Sequence, residues 1–560
     1  MMTYDETLAT LTGPGAMFEI GIEEVGGRSM KNFKNRERSI REKIANAAAR
    51  GDDVCLVYGE RSISYARFAA LVWGTAANLR DRYGLVRGDR LAVLAYNRPE
   101  WLFSLFGATA VAGIGVALNG WWSTEELAYG LSDSGARYLV VDESLYPRIE
   151  PLVGGDRPAG LEGLETVFYI GEQAPPGTVP IAELIEEKDE VPTEAIDEDD
   201  PFAILYTSGT TGRSKGCITT HRGTITQVLA IILAGAASSL MGAGNILPTE
   251  GQLVGLYTSP LFHVAGLHSG ICTALTAGAR IIFLQGKFDP DKVMALLEKE
   301  KVNMWPAIPA MLHRVVHAPN IGDYDLSNLR SISFGGAPTA PETIDRARQV
   351  LPAEPVLTNA YGLTETHGVA TVNAGKDLPG RKTAAGRVTP VLDVKIIDGD
   401  GAAVATGELG EVLFYGPTIT PGYWNRPDAT AETVRDGWLY TGDIGYVDEE
   451  GFLFIVDRAK DMILRGGENV YCAEIEACLA EHPDIDEAAI IGVADAELGE
   501  RVKAIVRLTT GASMDEKGVK AHVGRHLAVF KVPEFVEFID TALPRNPAGK
   551  ILKNQLRGQA

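Results

Sequence analysis

Cysteine is scarce in this chain. Cys55, Cys217, Cys272, Cys472 and Cys478 are the only five in 560 residues, and no two form a CxxC pair. Such spacing supports neither a disulfide framework nor a zinc motif. Positive charge is also short: 52 Lys and Arg face 74 Asp and Glu, for a net charge of −22. Nonspecific nucleic-acid binding needs clustered cations, so nucleic acid is not an expected partner. The opening stretch MMTYDETLATLTGPG has acids and no apolar core, so no signal peptide is expected. The expected location is the cytoplasm.

Long uncharged runs are few. Residues 101–124 and 224–248 could each span a bilayer by length. The first holds four glycines, an Asn and a Trp pair, and reads as a buried helix turning into a buried strand. The second holds Gln, Asn, two serines and three glycines. No transmembrane segment is expected; loose membrane contact and a homodimer stay open.

What is present is an ordinary globular composition, 45% apolar and 22% charged, in a chain too long for one core. Residues 30–50 form a basic amphipathic stretch, expected as a solvated helix docked on the main body. Apolar strands then alternate with helical patterns: RLAVLAYN, RYLVVDE, FAILYTS, RIIFLQ, NMWPAIP and LRSISFGG. Such alternation implies α/β units on parallel sheets, whose ligands sit at the C-terminal ends of strands. Beyond Pro379 the texture turns to hairpins, and beyond residues 457–460 to about a hundred residues of mixed helix and strand.

The stretch YTSGTTGRSKG, residues 206–216, packs three glycines, five Ser/Thr hydroxyls, a lysine and an arginine with no carboxylate. Glycines let backbone N–H groups approach an anion, and hydroxyls and Lys215 add donors and charge. The alternative is a polar surface loop. A Walker A loop is excluded: Ser214 stands where the second glycine belongs, and Gly216 follows Lys215. Further fragments look chemical: PLFHVAG around His263, FGGAP (334–338), NAYGLTET (359–366), YTGD (440–443), DRAKDMILRGGENVY (457–471) and NPAGK (546–550). Alone, His263 reads equally as a packed core residue, Asp443 as a turn residue and Lys550 as a solvated one.

In this order, these motifs resemble the adenylate-forming superfamily, in its acyl-CoA synthetase branch, over residues 55–555. The resemblance implies an α/β fold. A large N-terminal domain (1–457) would hold two α/β subdomains and a β-rich one. A small mobile C-terminal α+β domain (461–560) would follow a hinge near 458–460. It implies a cytoplasmic ligase that joins a carboxylic acid to coenzyme A (CoA) through an acyl-adenylate, using ATP and Mg2+.

The residue roles come from the same resemblance. Thr207, Ser208, Gly209, Thr210, Thr211 and Lys215 would hold the β,γ-phosphates. Glu365 would contact Mg2+, and Thr364 would donate to the α-phosphate. Tyr361 would stack on adenine, with Gly336, Ala337, Asn359, Gly362 and Ile455 lining the nucleotide. Asp443 and Arg458 would take the ribose. Lys550 would be the catalytic cation, Lys460 the hinge, and Gly466 and Gly467 the CoA tunnel, gated by His263. The acyl pocket would be His263, Val264, Gly266, Trp305, Ile308, Phe334, Gly335, Gly362 and Val369. These carry no lone charge, so a hydrophobic acid is expected, a medium- or long-chain fatty acid ahead of an aromatic or polycyclic one. No carrier domain follows Lys550, which points to a free-standing ligase. An acyl-AMP ligase serving a carrier protein, a luciferase-like oxidase and an inactive nucleotide binder are the alternatives.

Overall fold

The computed structural model describes residues 2–154, 158–207, 213–242, 251–337, 339–458, 461–465, 468–495, 498–545 and 550–557. One sheet carries the strands Arg90–Leu94, Ile114–Ala117, Tyr138–Asp142, Thr166–Ile170 and Pro201–Thr207 in parallel pairs. Lys215–Thr220 closes its edge antiparallel to Pro201–Thr207. The strand Tyr138–Asp142 is buried at every position. That is what a strand covered on both faces requires, and why its sequence is a continuous apolar run.

A second sheet begins with parallel strands, among them Val254–Tyr257, Arg280–Phe283, Met304–Ala307, Ser331–Gly335 and Val356–Leu363. It does not stop there. Gly368–Ala374 pairs antiparallel with Val356–Leu363, and the hairpins of residues 386–458 continue the same sheet. The β-rich region is therefore an extension of the second α/β sheet. A third sheet, built by Ile463–Arg465, Glu468–Val470, Ile485–Asp495, Gly499–Leu508 and Phe535–Phe538, belongs to a small C-terminal part.

The helix Pro99–Ala110 is buried along its whole length. It packs on Tyr65–Asp81 closely enough that a Cβ on Gly107 would stand 2.6 Å from Thr75 Cγ2. Phe106 lies in that contact, 6.3 Å from Phe68 and 6.3 Å from Phe202 between ring centroids. Truncating it to alanine would cost about 3–5 kcal/mol. The strand Ile114–Ala117 follows, as expected from residues 101–124. Among the described residues one helix, His221–Leu240, is long and apolar enough to cross a membrane, and over half of it is buried in the protein.

The reading of residues 30–50 as a solvated helix is overturned. Arg28–Phe33 is a strand paired with Ile20–Val25, and only Ile40–Ala48 is helical. Phe33, Ile40 and Ile44 are buried. Two basic residues of this stretch, Arg36 and Lys43, have buried side chains, while Lys34, Arg38 and Arg50 stay exposed. The Arg36 side chain is wholly buried against Glu23 at 2.6 Å and Glu198 at 2.9 Å. Arg222 joins the same network through Glu23, Glu198 and Asp199. The amphipathic pattern does not report this, because the Arg36 partner Glu198 lies 162 residues away.

Candidate active site

The two strands that flank the glycine-rich stretch lie at the edge of the first sheet. Thr207 and Lys215 face each other across an antiparallel pair. Ser208, Gly209, Thr210 and Thr211 lie outside the described residues. The Lys215 ammonium stands over the Tyr423 ring, 5.2 Å from its centroid. Tyr423 in turn donates its hydroxyl to Glu365 Oε1 at 2.6 Å. Burial and the Glu365 carboxylate push the Tyr423 phenol far up, so it stays a donor. Thr420 N–H donates to Glu365 O at 2.8 Å.

Two residues after Glu365 the chain turns through a positive φ of 57° at His367, which is fully buried. Its Nε2 accepts from Thr220 N–H at 2.8 Å, and its Nδ1–H donates to Thr418 O at 2.7 Å. One imidazole thus ties the Thr364–Thr366 turn to the strand that leaves the anion loop. Burial holds it neutral, with its pKa lowered to about 4.

The other wall is wired in advance. Tyr361 donates to Asp443 Oδ2 at 2.5 Å, and Arg458 Nε lies 2.9 Å from Asp443 Oδ1. Asp443 and Arg458 are register partners across neighbouring strands. Each Asp443 oxygen keeps a further lone pair for hydroxyls. Asn359 spends its amide on Ala384 O at 3.1 Å. Gly362 allows no side chain: a Cβ there would meet Gly368 O at 1.8 Å. Gly335 is equally tight against Ala360 O, while Gly336 uses a φ of 81°. Ala337 follows it, and Ile455 packs in the small apolar core beneath Tyr361.

Between these walls opens a cavity of about 1040 Å³. Thr207, Lys215, Gly336, Gly362, Thr364, Glu365 and Arg458 line it, as does the His263–Ala265 segment. Lys550, Met462 and Tyr471 come to the same cavity from the C-terminal side. Lys460, Gly466 and Gly467 lie outside the described residues.

The acyl assignments divide. His263 and Val264 face the cavity. The His263 Nε2 atom is buried with no hydrogen-bond partner in the structure, and burial lowers the ring's pKa to about 4. Trp305 and Phe334 are instead packed into the core around the second sheet, Ile308 is buried, and none of the three lines the cavity. Trp305 donates its Nε1–H to Thr258 Oγ1 at 3.1 Å. Gly266 lies under Pro260 O, where a Cβ would come within 2.2 Å. Val369 lies on the strand paired with Gly362.

Sequence reasoning missed Tyr423 and His367. Both act through partners remote in sequence, and the only local signal was an aromatic pair, Tyr423–Trp424, in an otherwise irregular stretch.

Comparison with known proteins identifies the family. The family model described as AMP-binding enzyme matches residues 44–424, and its C-terminal domain model matches residues 474–550. Similar proteins include 4-coumarate–CoA ligase 2 of Solanum tuberosum, 33% identical over 513 residues, 90% of each chain. Long-chain-fatty-acid–CoA ligase FadD13 of Mycobacterium tuberculosis is 35% identical over 499 residues, 89% of this chain and 93% of that one. Among solved structures, ATP-bound MatB from Rhodopseudomonas palustris superposes with a TM-score of 0.80 at 30% identity, covering 93% of this chain and 98% of that one. The chain belongs to the AMP-binding enzyme family, in the acyl-CoA synthetase branch of the adenylate-forming superfamily.

Proposed function

We propose that this ATP-dependent, AMP-forming acid–CoA ligase acts on a neutral, compact hydrophobic acid, an aryl acid or a short acyl chain, rather than on a long-chain fatty acid. The observation that carries the reading is the acyl end of the cavity. Its described wall at His263, Val264 and Ala265 bears no charge, and the aromatic residues behind it are closed into the core. A buried ammonium would want a carboxylate there, so an amino acid is disfavoured. A relative named for 4-coumarate supports the ring acid, and one named for long-chain fatty acids supports the alternative. Delivery to a carrier protein and luciferase chemistry are not favoured by these relatives.

In the first step a carboxylate oxygen attacks the α-phosphorus, and pyrophosphate leaves with the electron pair of the broken P–O bond. Two anions must meet, so cations set in place beforehand carry the rate. Lys550 and Lys215 are the cations assigned to that task. Neutral His263 has an unpartnered nitrogen to offer the carboxylate. Glu365, one carboxylate beside a polyphosphate site, fits the sparse protein ligation that Mg2+ takes, the ion neutralising phosphate charge when bound. In the second step the CoA thiolate attacks the acyl carbon and AMP leaves. A hinge at 458–460 between units 1–457 and 461–560 would withdraw Lys550 between the steps.

The test is a panel at fixed ATP and CoA: 4-hydroxycinnamate, benzoate, butyrate, palmitate and malonate, each read as CoA-dependent AMP release. The first three should give the highest kcat/KM. Preference for palmitate sinks the compact pocket, and preference for malonate sinks the apolar one.

A further inference from the structure

Three side chains of metal-ligand type meet away from the cavity, on the small C-terminal part. Cys478 lies on the helix Cys472–Ala480, and His522 and His526 lie on the helix Glu516–His526. Four-residue spacing puts both imidazoles on one helix face. Cys478 Sγ and one ring nitrogen of each histidine lie within 4.8 Å of one another. Cys478 and His522 are buried, and His526 is exposed.

Each histidine spends one nitrogen on a backbone carbonyl. His522 Nε2–H donates to Cys478 O at 2.8 Å, and His526 Nδ1–H donates to His522 O at 2.9 Å. Each ring keeps one lone-pair nitrogen. That is the state in which imidazole binds a metal, its other nitrogen held by an acceptor. A further imidazole, His482, stands edge-on to His522 at 4.9 Å between centroids, its Nδ1 accepting from Asp484 N–H.

We propose that Cys478, His522 and His526 bind a borderline-soft divalent ion, zinc first, with water as the fourth ligand. Zn–N of ~2.0–2.1 Å and Zn–S of ~2.3 Å set tetrahedral ligand atoms roughly 3.5 Å apart, so no side of the triangle has to close by more than about 1.3 Å. His526, exposed in the last turn of its helix, supplies that movement. Binding releases the Cys478 thiol proton to solvent as the S–metal bond forms. The ion staples two helices together. The first of them starts beside Asp457, which accepts from Cys472 N–H at 2.5 Å and Ala473 N–H at 3.4 Å.

Untagged full-length protein, stripped with chelator, is titrated with Co2+ and then with Zn2+. The expected result is one Co2+ per chain, a thiolate-to-cobalt charge-transfer band, intense tetrahedral visible bands, and displacement of all of these by Zn2+. Cys478→Ser should abolish the charge-transfer band. His526→Ala, a change at an exposed site, should weaken binding at least about tenfold with unchanged circular dichroism. Absent stoichiometric uptake, a spectrum without the thiolate band, a band that survives in Cys478→Ser, or wild-type affinity in His526→Ala each overturns the site.

Discussion

The two sides of the cavity are built on opposite plans. On the large side, polar groups hold one another: Tyr361 and Arg458 converge on Asp443, and Tyr423 grips Glu365. Their geometry is set by strand pairing before any ligand arrives. On the small side, Lys550 reaches the cavity from a segment whose neighbours pair locally, Arg545 bridging to Ile551. Its position depends on where a separate sheet sits. A prewired wall suits recognition of a constant nucleotide. A charge carried by another body suits a step that must be switched on and off.

Removing Lys550 should expose this difference most sharply. Lys550→Ala should cut acid-dependent ATP–pyrophosphate exchange by at least about a hundredfold, some 2.7 kcal/mol of barrier. Thioester formation from synthetic acyl-AMP should change by less than about threefold. Equal losses in the two half-reactions would mean that the small side is no switch. Damage to the fixed wall should be milder and shared. Asp443→Ala should raise the KM for ATP roughly tenfold and also slow thioester formation from acyl-AMP, because the same nucleotide is held throughout. Tyr361→Phe, which keeps the ring and loses one hydrogen bond, should cost about threefold. An Asp443→Ala effect confined to one half-reaction would break the comparison from the other side.

The smallest effect expected is on stability. His221 and His268 are held neutral by burial with pKa values near 3, and His367 near 4. A histidine whose folded pKa is depressed contributes its stability above the ordinary value near 6.5 and loses it as pH falls toward the folded value. Tm should therefore drop by several degrees between pH 6.5 and pH 4.5. His367→Gln should be less stable at pH 7 yet show a shallower acid slope. An unchanged slope would mean that His367 is not among the groups that take up protons.

Much of this was written locally. Strands such as RYLVVDE are continuous apolar runs because helices cover both faces. Gly362 could be singled out from its motif alone, though only the fold shows Gly368 O standing where its Cβ would go. What escaped the sequence depends on distant partners. The strand Arg28–Phe33 looked helical because its pairing and its buried counter-ions come from elsewhere in the chain. Tyr423 gained its role from Glu365, 58 residues before it. Cys478 and His522 stand 44 residues apart with no metal-site spacing between them, so only the docking of two helices brings them together.

The network around Arg36 bears on how the protein should be handled. A clone trimmed to the family match at residue 44 would discard Glu23 and Arg36 together. Glu198 would lose a buried counter-ion and Arg222 one of its carboxylates, while the apolar floor under Phe33 would open to water. Such a fragment would keep every residue assigned to the chemistry and still be expected to precipitate on expression, a failure easily misread as a dead enzyme.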